Sequence, residues 1–88
     1  MSAVILRLPV PARHVAERIE VDVAAVRRAL GLTRAAMAVA FGVVRSDLEL
    51  WERGEARPVG LVKVLLVVAS REPDVVRKTL VEMGIVRR

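Results

Sequence analysis

Two short segments of helical character, each enclosed between a polar residue and a glycine, constrain the fold of this chain most. Asp22 precedes VAAVRRAL and Gly31 follows it, while Thr33 precedes RAAMAVAF and Gly42 follows it. Asp and Thr are preferred as helix N-caps, and glycine is preferred where a helix ends in the left-handed region. The pattern therefore predicts two short helices joined by a tight connection.

Three further helices are predicted towards the C-terminus. Gly54 ends a segment that begins after Gly42, Pro58 stands near the start of VGLVKVLLVVASR, and Pro73 opens PDVVRKTLVEM, which Gly84 stops. Proline is accepted in the first turn of a helix but not in its interior. The five segments together predict an all-α fold.

The N-terminal residues have a different pattern. Residues 3–8, AVILRL, form a β-prone run that two prolines end, so we expect residues 1–11 to be a short strand or an extended arm. A lone strand has no partner within its own chain, and pairing with a second copy is therefore expected. Apolar residues at helical spacing predict a short amphipathic helix over residues 12–20, and a single domain over residues 12–88.

The charge of the chain favours an acidic partner, most often nucleic acid, because the net charge is +5. Its distribution weakens this argument. Between Asp22 and Pro58, six arginines and five carboxylates leave a net charge of +1, so most of the excess lies outside that window. The alternative interpretation is that arginine keeps a 55% apolar chain soluble.

The composition argues against several function classes. The chain has no cysteine and one histidine, His14, which cannot form a metal site alone, and Ser46 beside Asp47 has no nearby base. We expect no enzymatic activity, no metal and no cofactor. Arg7 interrupts the first apolar run, and residues 59–69 are about half as long as a membrane span, so a cytoplasmic protein without membrane contact is expected.

The order of the central segments is typical of a helix-turn-helix unit: a capped helix, a glycine turn, a second helix ending in WERG, and a basic turn with proline. Residues 23–82 resemble the Xre-type helix-turn-helix regulators, most closely the small HigA-type and NadS-type antitoxins. The family pattern LGLSQxEFAxxLGVSxxTLxxWExGxRxP aligns without a gap with LGLTRAAMAVAFGVVRSDLELWERGEARP. The resemblance implies a compact five-helix, phage-repressor-like domain.

The function that the resemblance implies is sequence-specific DNA binding by a homodimeric repressor or autorepressor on an inverted repeat. It also implies a cognate toxin protein as a further partner. The alternative is a degenerate helix-turn-helix module that acts by protein contact, through toxin neutralisation or as an adaptor. Candidate protein-binding surfaces are residues 4–8 and four apolar residues of the last helix, which could instead complete the core or the dimer. These four are Val75, Val76, Leu80 and Met83.

The resemblance also assigns roles to particular residues. Arg27 and Glu52 are expected to form an internal ion pair, and Leu48 and Trp51 are expected to anchor the recognition helix to the core. The residues expected to contact DNA are Thr33, Arg34, Arg45, Ser46, Glu49, Leu50, Arg53 and Arg57.

Three positions depart from the family pattern. Arg34 replaces a glutamine, which favours phosphate contact. Val44 replaces the serine that usually caps the recognition helix and has no acceptor in its side chain. Leu50 replaces a polar reader and can meet a thymine methyl group, but it cannot hydrogen-bond a base edge. The departures at Val44 and Leu50 weaken the expectation of DNA reading.

The acids of the recognition segment have two interpretations. If Val44 is the N-cap, Asp47 falls at the third helical position, close to unpaired backbone N–H groups; if Ser46 is the N-cap, SDLE is a capping box with Glu49 at that position. In the functional interpretation, Arg45 bonds a guanine and Glu49 accepts a hydrogen bond from a cytosine amino group. The sequence leaves both registers open.

Overall fold

The computed structural model describes residues 19–87, and this part of the chain is all-helical. The helices are α1 (Val23–Leu30), α2 (Arg34–Phe41), α3 (Arg45–Glu52), α4 (Gly60–Arg71) and α5 (Pro73–Glu82). The expected all-α class is confirmed. The bounds of α1, α2, α4 and α5 agree with the predicted segments to within one residue, while the sequence allows two registers for the start of α3.

The N-terminal predictions fall mostly beyond this range. The strand over residues 3–8 and the greater part of the helix over residues 12–20 lie outside the described residues. Ile19 and Glu20, the last two positions of that expected helix, are not helical. Asp22 follows closely in an extended conformation (φ −87°, ψ 99°), which it adopts in order to cap α1.

Side-chain caps hold the first turns of α1 and α2. A carboxylate oxygen of Asp22 accepts a hydrogen bond from the backbone N of Ala25 at 3.0 Å, and the hydroxyl of Thr33 accepts one from the backbone N of Ala36 at 3.1 Å. These bonds satisfy N–H groups that have no partner within the helix. Each such cap typically stabilises a helix by about 1 kcal/mol.

The helices pack around α1, which contacts α3, α4 and α5, while α2 packs against α3 and α4 against α5. The core contains at least one residue from every helix. Its buried members are Val23, Val26, Leu30, Leu32, Met37, Leu48, Leu66, Ala69, Val76 and Leu80. Because α3 packs against both α1 and α2, these two helices fix its position.

The last helix closes the domain over the end of α1. The Arg77 guanidinium donates a hydrogen bond to the backbone carbonyl of Leu30. Of the four apolar residues considered as a protein-binding surface, two are buried in the core and two are exposed. Val76 and Leu80 are each 8% exposed, whereas Val75 is 58% and Met83 is 66% exposed.

α4 is the longest helix of the described region, with 12 residues. Among residues 19–87 no helix combines the length and the apolar character that crossing a bilayer requires.

Candidate functional site

A tight turn of three residues, Gly42, Val43 and Val44, joins α2 to α3. Gly42 has a φ of 66°, a left-handed conformation that costs most other residues about 1 kcal/mol or more. The backbone N of Val43 donates to the carbonyl of Ala38 at 3.0 Å, which closes α2. Ala38 itself is buried, with 9% of its surface exposed. The turn therefore holds α3 in a defined orientation against α2.

The inner face of α3 anchors it to the core. Leu48 is 1% exposed and belongs to the core cluster, and Trp51, one turn later, packs against that cluster. Residues at i and i+3 lie on the same face of a helix, so these two side chains act together. The outer face of α3 is thereby directed away from the protein.

That outer face is polar and accessible. Arg45, Ser46 and Asp47 are exposed, while Glu49 and Leu50 are half-buried. Arg45 Nε lies 3.3 Å from Glu49 Oε2, with the two side chains 59% and 40% exposed. Exposed pairs of this spacing contribute about 0.3–0.5 kcal/mol, so Arg45 can exchange Glu49 for another acceptor at little cost. Glu49 as a reader of cytosine stays a prediction.

The start of α3 adopts the first of the two possible registers. Val44 is the N-cap (φ −76°, ψ 135°) and makes no side-chain cap bond, as its aliphatic side chain dictates. Ser46 therefore lies inside the helix, and the SDLE capping box does not form. Asp47 stands in the first turn, where a carboxylate is favoured by the positive end of the helix dipole.

Glu52, at the end of α3, is shared by two arginines. Arg27 Nε donates to Glu52 Oε2 at 2.8 Å, and Arg27 Nη2 donates to Oε1 at 3.2 Å. Arg34 Nε donates to the same Oε1 at 3.1 Å. The pair with Arg27, expected from the resemblance, is thus present, and the bond from Arg34 is an additional contact that sequence reasoning missed. Two guanidiniums around one carboxylate leave this cluster with a net positive charge.

The side chain of Glu52 is 5% exposed, against 16% for Arg27 and 48% for Arg34. Burial by itself raises the pKa of Glu52. The hydrogen bonds from Arg27 and Arg34, together with the charges of these two guanidiniums, outweigh burial and lower the pKa below its ordinary value of 4.5. Glu52 is therefore ionised at neutral pH and directed inward, which removes it from the charge that a polyanion would meet.

A shallow groove of about 340 Å³ lies beside this cluster, between α1 and the end of α3. Four arginines and two glutamates line it, so its charge is positive. The lining residues are Ala24, Arg27, Arg28, Arg34, Glu49, Glu52 and Arg53. Arg28 was missed by sequence reasoning. Its neighbour Arg27 gave no signal for it, because consecutive residues of a helix point in different directions.

The two arginines that follow α3, Arg53 and Arg57, are paired with exposed carboxylates. Arg53 Nε lies 2.8 Å from Glu55 Oε2, and Arg57 Nη1 lies 3.5 Å from Glu20 Oε2. All four of these side chains are at least 58% exposed, so both pairs are weak and screened by salt. The Thr33 hydroxyl is engaged as the cap of α2. The structure thus brings Arg34 and Arg53 to one groove, and it leaves Arg57 on an exposed loop.

Within residues 19–87, no cluster of three or more His, Cys, Asp or Glu side chains could hold a metal ion. Comparison of the chain with family models, with curated proteins and with solved structures finds no match. The site is therefore defined by its own geometry: an exposed polar helix face, held by a short turn and bordered by an arginine-lined groove.

Proposed function

We propose that this chain is a helix-turn-helix DNA-binding regulator of transcription that acts in the cytoplasm, with α2 and α3 as the helix-turn-helix unit. The observation that carries the proposal is that α3 is anchored through Leu48 while Arg45 and Ser46 are exposed on its outer face. An α-helix presented in this way fits the major groove of B-DNA. The arginine-lined groove lies where the flanking phosphates would run.

In this proposal the first turns of α3 contact the bases. Arg45 is 59% exposed and held only by a weak pair with Glu49, so its guanidinium can bond the O6 and N7 atoms of a guanine. Glu49, once released, can accept a hydrogen bond from a cytosine amino group. Leu50 supplies apolar contact to a thymine methyl group. Together these residues give a short recognition sequence with few polar contacts.

In this proposal the arginines around α3 attract the phosphates of the DNA backbone. Arg34, Arg28 and Arg53 border the groove beside the helix, and Arg57 is exposed on the following loop. Lys and Arg that neutralise phosphates release counterions, which makes binding strongly dependent on salt. Since Arg27 and Arg34 neutralise Glu52, the carboxylates of α3 oppose this attraction less than the sequence suggests.

The regulator is proposed to act as a homodimer on an inverted repeat, as a repressor or autorepressor. A twofold dimer places two copies of α3 in successive major grooves, about 34 Å apart along the DNA. Symmetry in the protein then matches symmetry in the operator.

The test is selection of binding sites from a random DNA library by the full chain, followed by fluorescence anisotropy at two salt concentrations. We expect an inverted repeat to be enriched, and we expect affinity to fall by at least about tenfold between low and physiological salt. Absence of binding at low salt, both to the selected DNA and to the DNA upstream of the gene itself, would overturn the proposal.

A second candidate is a helix-turn-helix module that binds a partner protein, such as a toxin. The observation that favours it is apolar exposure on this unit, since Val39 of α2 is 73% exposed and Val44 is 62% exposed. Co-purification with the product of an adjacent gene tests it. A stable complex that Val39→Glu disrupts, in a chain that does not bind DNA, would favour this candidate over the first.

A further inference from the structure

α4 carries an apolar stripe on its exposed side. Leu61, Val64, Leu65 and Val68 stand at i, i+3, i+4 and i+7, which is one continuous face of a helix. Their exposed fractions are 87%, 58%, 39% and 44%. We call these four residues the α4 stripe.

An adjacent face of α4 is already used for the core, where Leu66 and Ala69 are fully buried. Apolar residues therefore occupy two sides of this helix, while Lys63, Ser70 and Arg71 lie on the third. A large exposed apolar face is normally covered by a partner, because exposing it to water is unfavourable. In a domain that carries nine acidic and eleven basic residues over the described range, the α4 stripe contains none of either.

We propose that the α4 stripe is the surface through which two copies of this chain dimerise. This inference rests on the proposed function only for the role of the dimer. It names the surface through which two copies of α3 would be held in one DNA-binding dimer. A twofold interface uses the same patch on both partners, so an uncharged apolar stripe is complementary to itself.

The exposed area of the α4 stripe is consistent with pairing of two copies of the chain. Its exposed surface is on the order of 400 Å², within the range of about 300–600 Å² of the largest apolar patch on a typical monomer. Pairing two stripes, with the polar residues around them, approaches the roughly 1,000 Å² of total buried surface that a specific interface requires. Two helices of this kind pack at about 8–10 Å between their axes.

Other occupants fit the stripe less well. A nucleic acid requires cations, and the four stripe residues carry none. A charged peptide would leave its charges without partners on this face, which costs free energy. Residues 1–18 of the same chain are the remaining alternative, and the test below distinguishes them from a second copy.

The test uses the absence of native cysteine, since the chain has none. In the full-length Val64→Cys and Leu65→Cys variants, incubation with oxidised glutathione joins two introduced thiols wherever two copies place them together. A disulfide requires Cα atoms within about 7 Å. We expect a covalent dimer from at least one of these central positions. Val39→Cys, whose parent residue is 73% exposed on α2, is the control and is expected to form no covalent dimer.

Light scattering of the full chain gives the second readout. We expect the wild-type chain to be a dimer at micromolar concentration and the Leu61→Glu/Val64→Glu double variant to be a monomer with an unchanged circular dichroism spectrum. Val39→Glu is the matched control and should remain a dimer. A monomeric wild-type chain, or a double variant as dimeric as the wild type, would overturn the proposal; monomeric wild type would point to cover by residues 1–18.

These outcomes are separable from the failure of the proposed function. A monomeric double variant that still binds one half-site supports the surface and leaves DNA binding intact. A wild-type dimer that cross-links through position 64 or 65 but binds no DNA overturns the proposed function alone.

Discussion

Arg27 and Glu52, 25 positions apart in the sequence, form a two-point ion pair with distances of 2.8 Å and 3.2 Å between nitrogen and oxygen atoms. Arg27 Nη1 also donates to the backbone carbonyl of Leu32 at 3.2 Å. One guanidinium thus ties together the last turn of α1, the connection to α2 and the end of α3. This contact fixes α3 at its C-terminal end, as Leu48 does near its middle.

Glu52→Gln is expected to destabilise the domain by about 2 kcal/mol at neutral pH, because it leaves the mostly buried Arg27 without a charged partner. The measurement is urea-induced unfolding followed by circular dichroism at a fixed protein concentration. Glu55→Gln is the matched control, since Glu55 is 58% exposed and pairs only with exposed Arg53. Equal losses in the two variants would contradict the structural role of Glu52.

The contribution of Glu52 to stability is expected to depend on pH. Its pKa is lower in the folded state than its ordinary value of 4.5, so the unfolded chain binds the proton more readily. The stabilisation is therefore complete above pH 4.5 and is lost as the pH falls through the lower folded-state pKa. Unfolding free energies measured from neutral to acidic pH should converge for the wild type and Glu52→Gln. A difference that does not diminish in acid would refute this origin.

Arg45→Ala is expected to weaken binding to the preferred DNA sequence by about 1–3 kcal/mol and to leave binding to unrelated DNA nearly unchanged. The reason is that Arg45 is proposed to read a base, whereas Arg53 and Arg57 are proposed to attract phosphates. Anisotropy titrations with selected and scrambled DNA at several salt concentrations measure the difference.

Arg53→Ala is the matched comparison for Arg45→Ala. It should weaken binding to both sequences equally and reduce the slope of log affinity against log salt by about one. If Arg45→Ala instead lowers the affinity for both sequences equally, Arg45 contacts phosphate and the assignment of base reading is wrong.

Val44→Ser is expected to stabilise the domain by about 0.5–1 kcal/mol, because serine at this N-cap can accept a hydrogen bond from an unpaired N–H group at the start of α3. Val44 has the extended backbone that a capping residue adopts and is 62% exposed, so the change removes no core contact. Thermal unfolding measures the gain. Val39→Ser, within α2, controls for the loss of an exposed valine, and a similar shift there would exclude capping as the cause.

Leu48→Ala is expected to cost about 2–5 kcal/mol in unfolding free energy, since Leu48 is 1% exposed and its removal leaves a cavity between α3 and the core. Leu50→Ala, two residues away and half-buried, is expected to cost clearly less. Urea unfolding of the two variants at neutral pH gives the comparison. A larger loss at Leu50 would show that α3 is anchored through a different face.

Local chemistry explains why the helix boundaries could be predicted. A cap such as Asp22 or Thr33 bonds a backbone N–H three residues later, so the interaction is contained in a few residues of sequence. The same local reasoning left two registers for α3, because both Val44 and Ser46 could precede a helical turn. In the folded chain the backbone N of Leu48 donates to the carbonyl of Val44 at 3.2 Å, so α3 begins at Arg45.

Non-local contacts explain what was missed. Arg27 lies 25 residues before Glu52, and Arg34 lies 18 residues before it. Nothing in these spacings alone reveals that both guanidiniums reach one carboxylate. The α4 stripe was missed for a different reason. The sequence predicts one helix over residues 59–71, and which of its apolar residues stay exposed depends on where α1 and α5 pack.

The sequence by itself determined the five helices, the side-chain caps of α1 and α2 and the residues able to anchor α3, because these follow from hydrogen bonds and periodicity within one or two turns of the chain. The tertiary structure decided which side chains share a surface. It directed Glu52 inward between Arg27 and Arg34, gathered four arginines around one groove and left the α4 stripe exposed among residues 19–87. Charge and exposure depend on how helices pack, and that is a property of the folded molecule and not of any single segment.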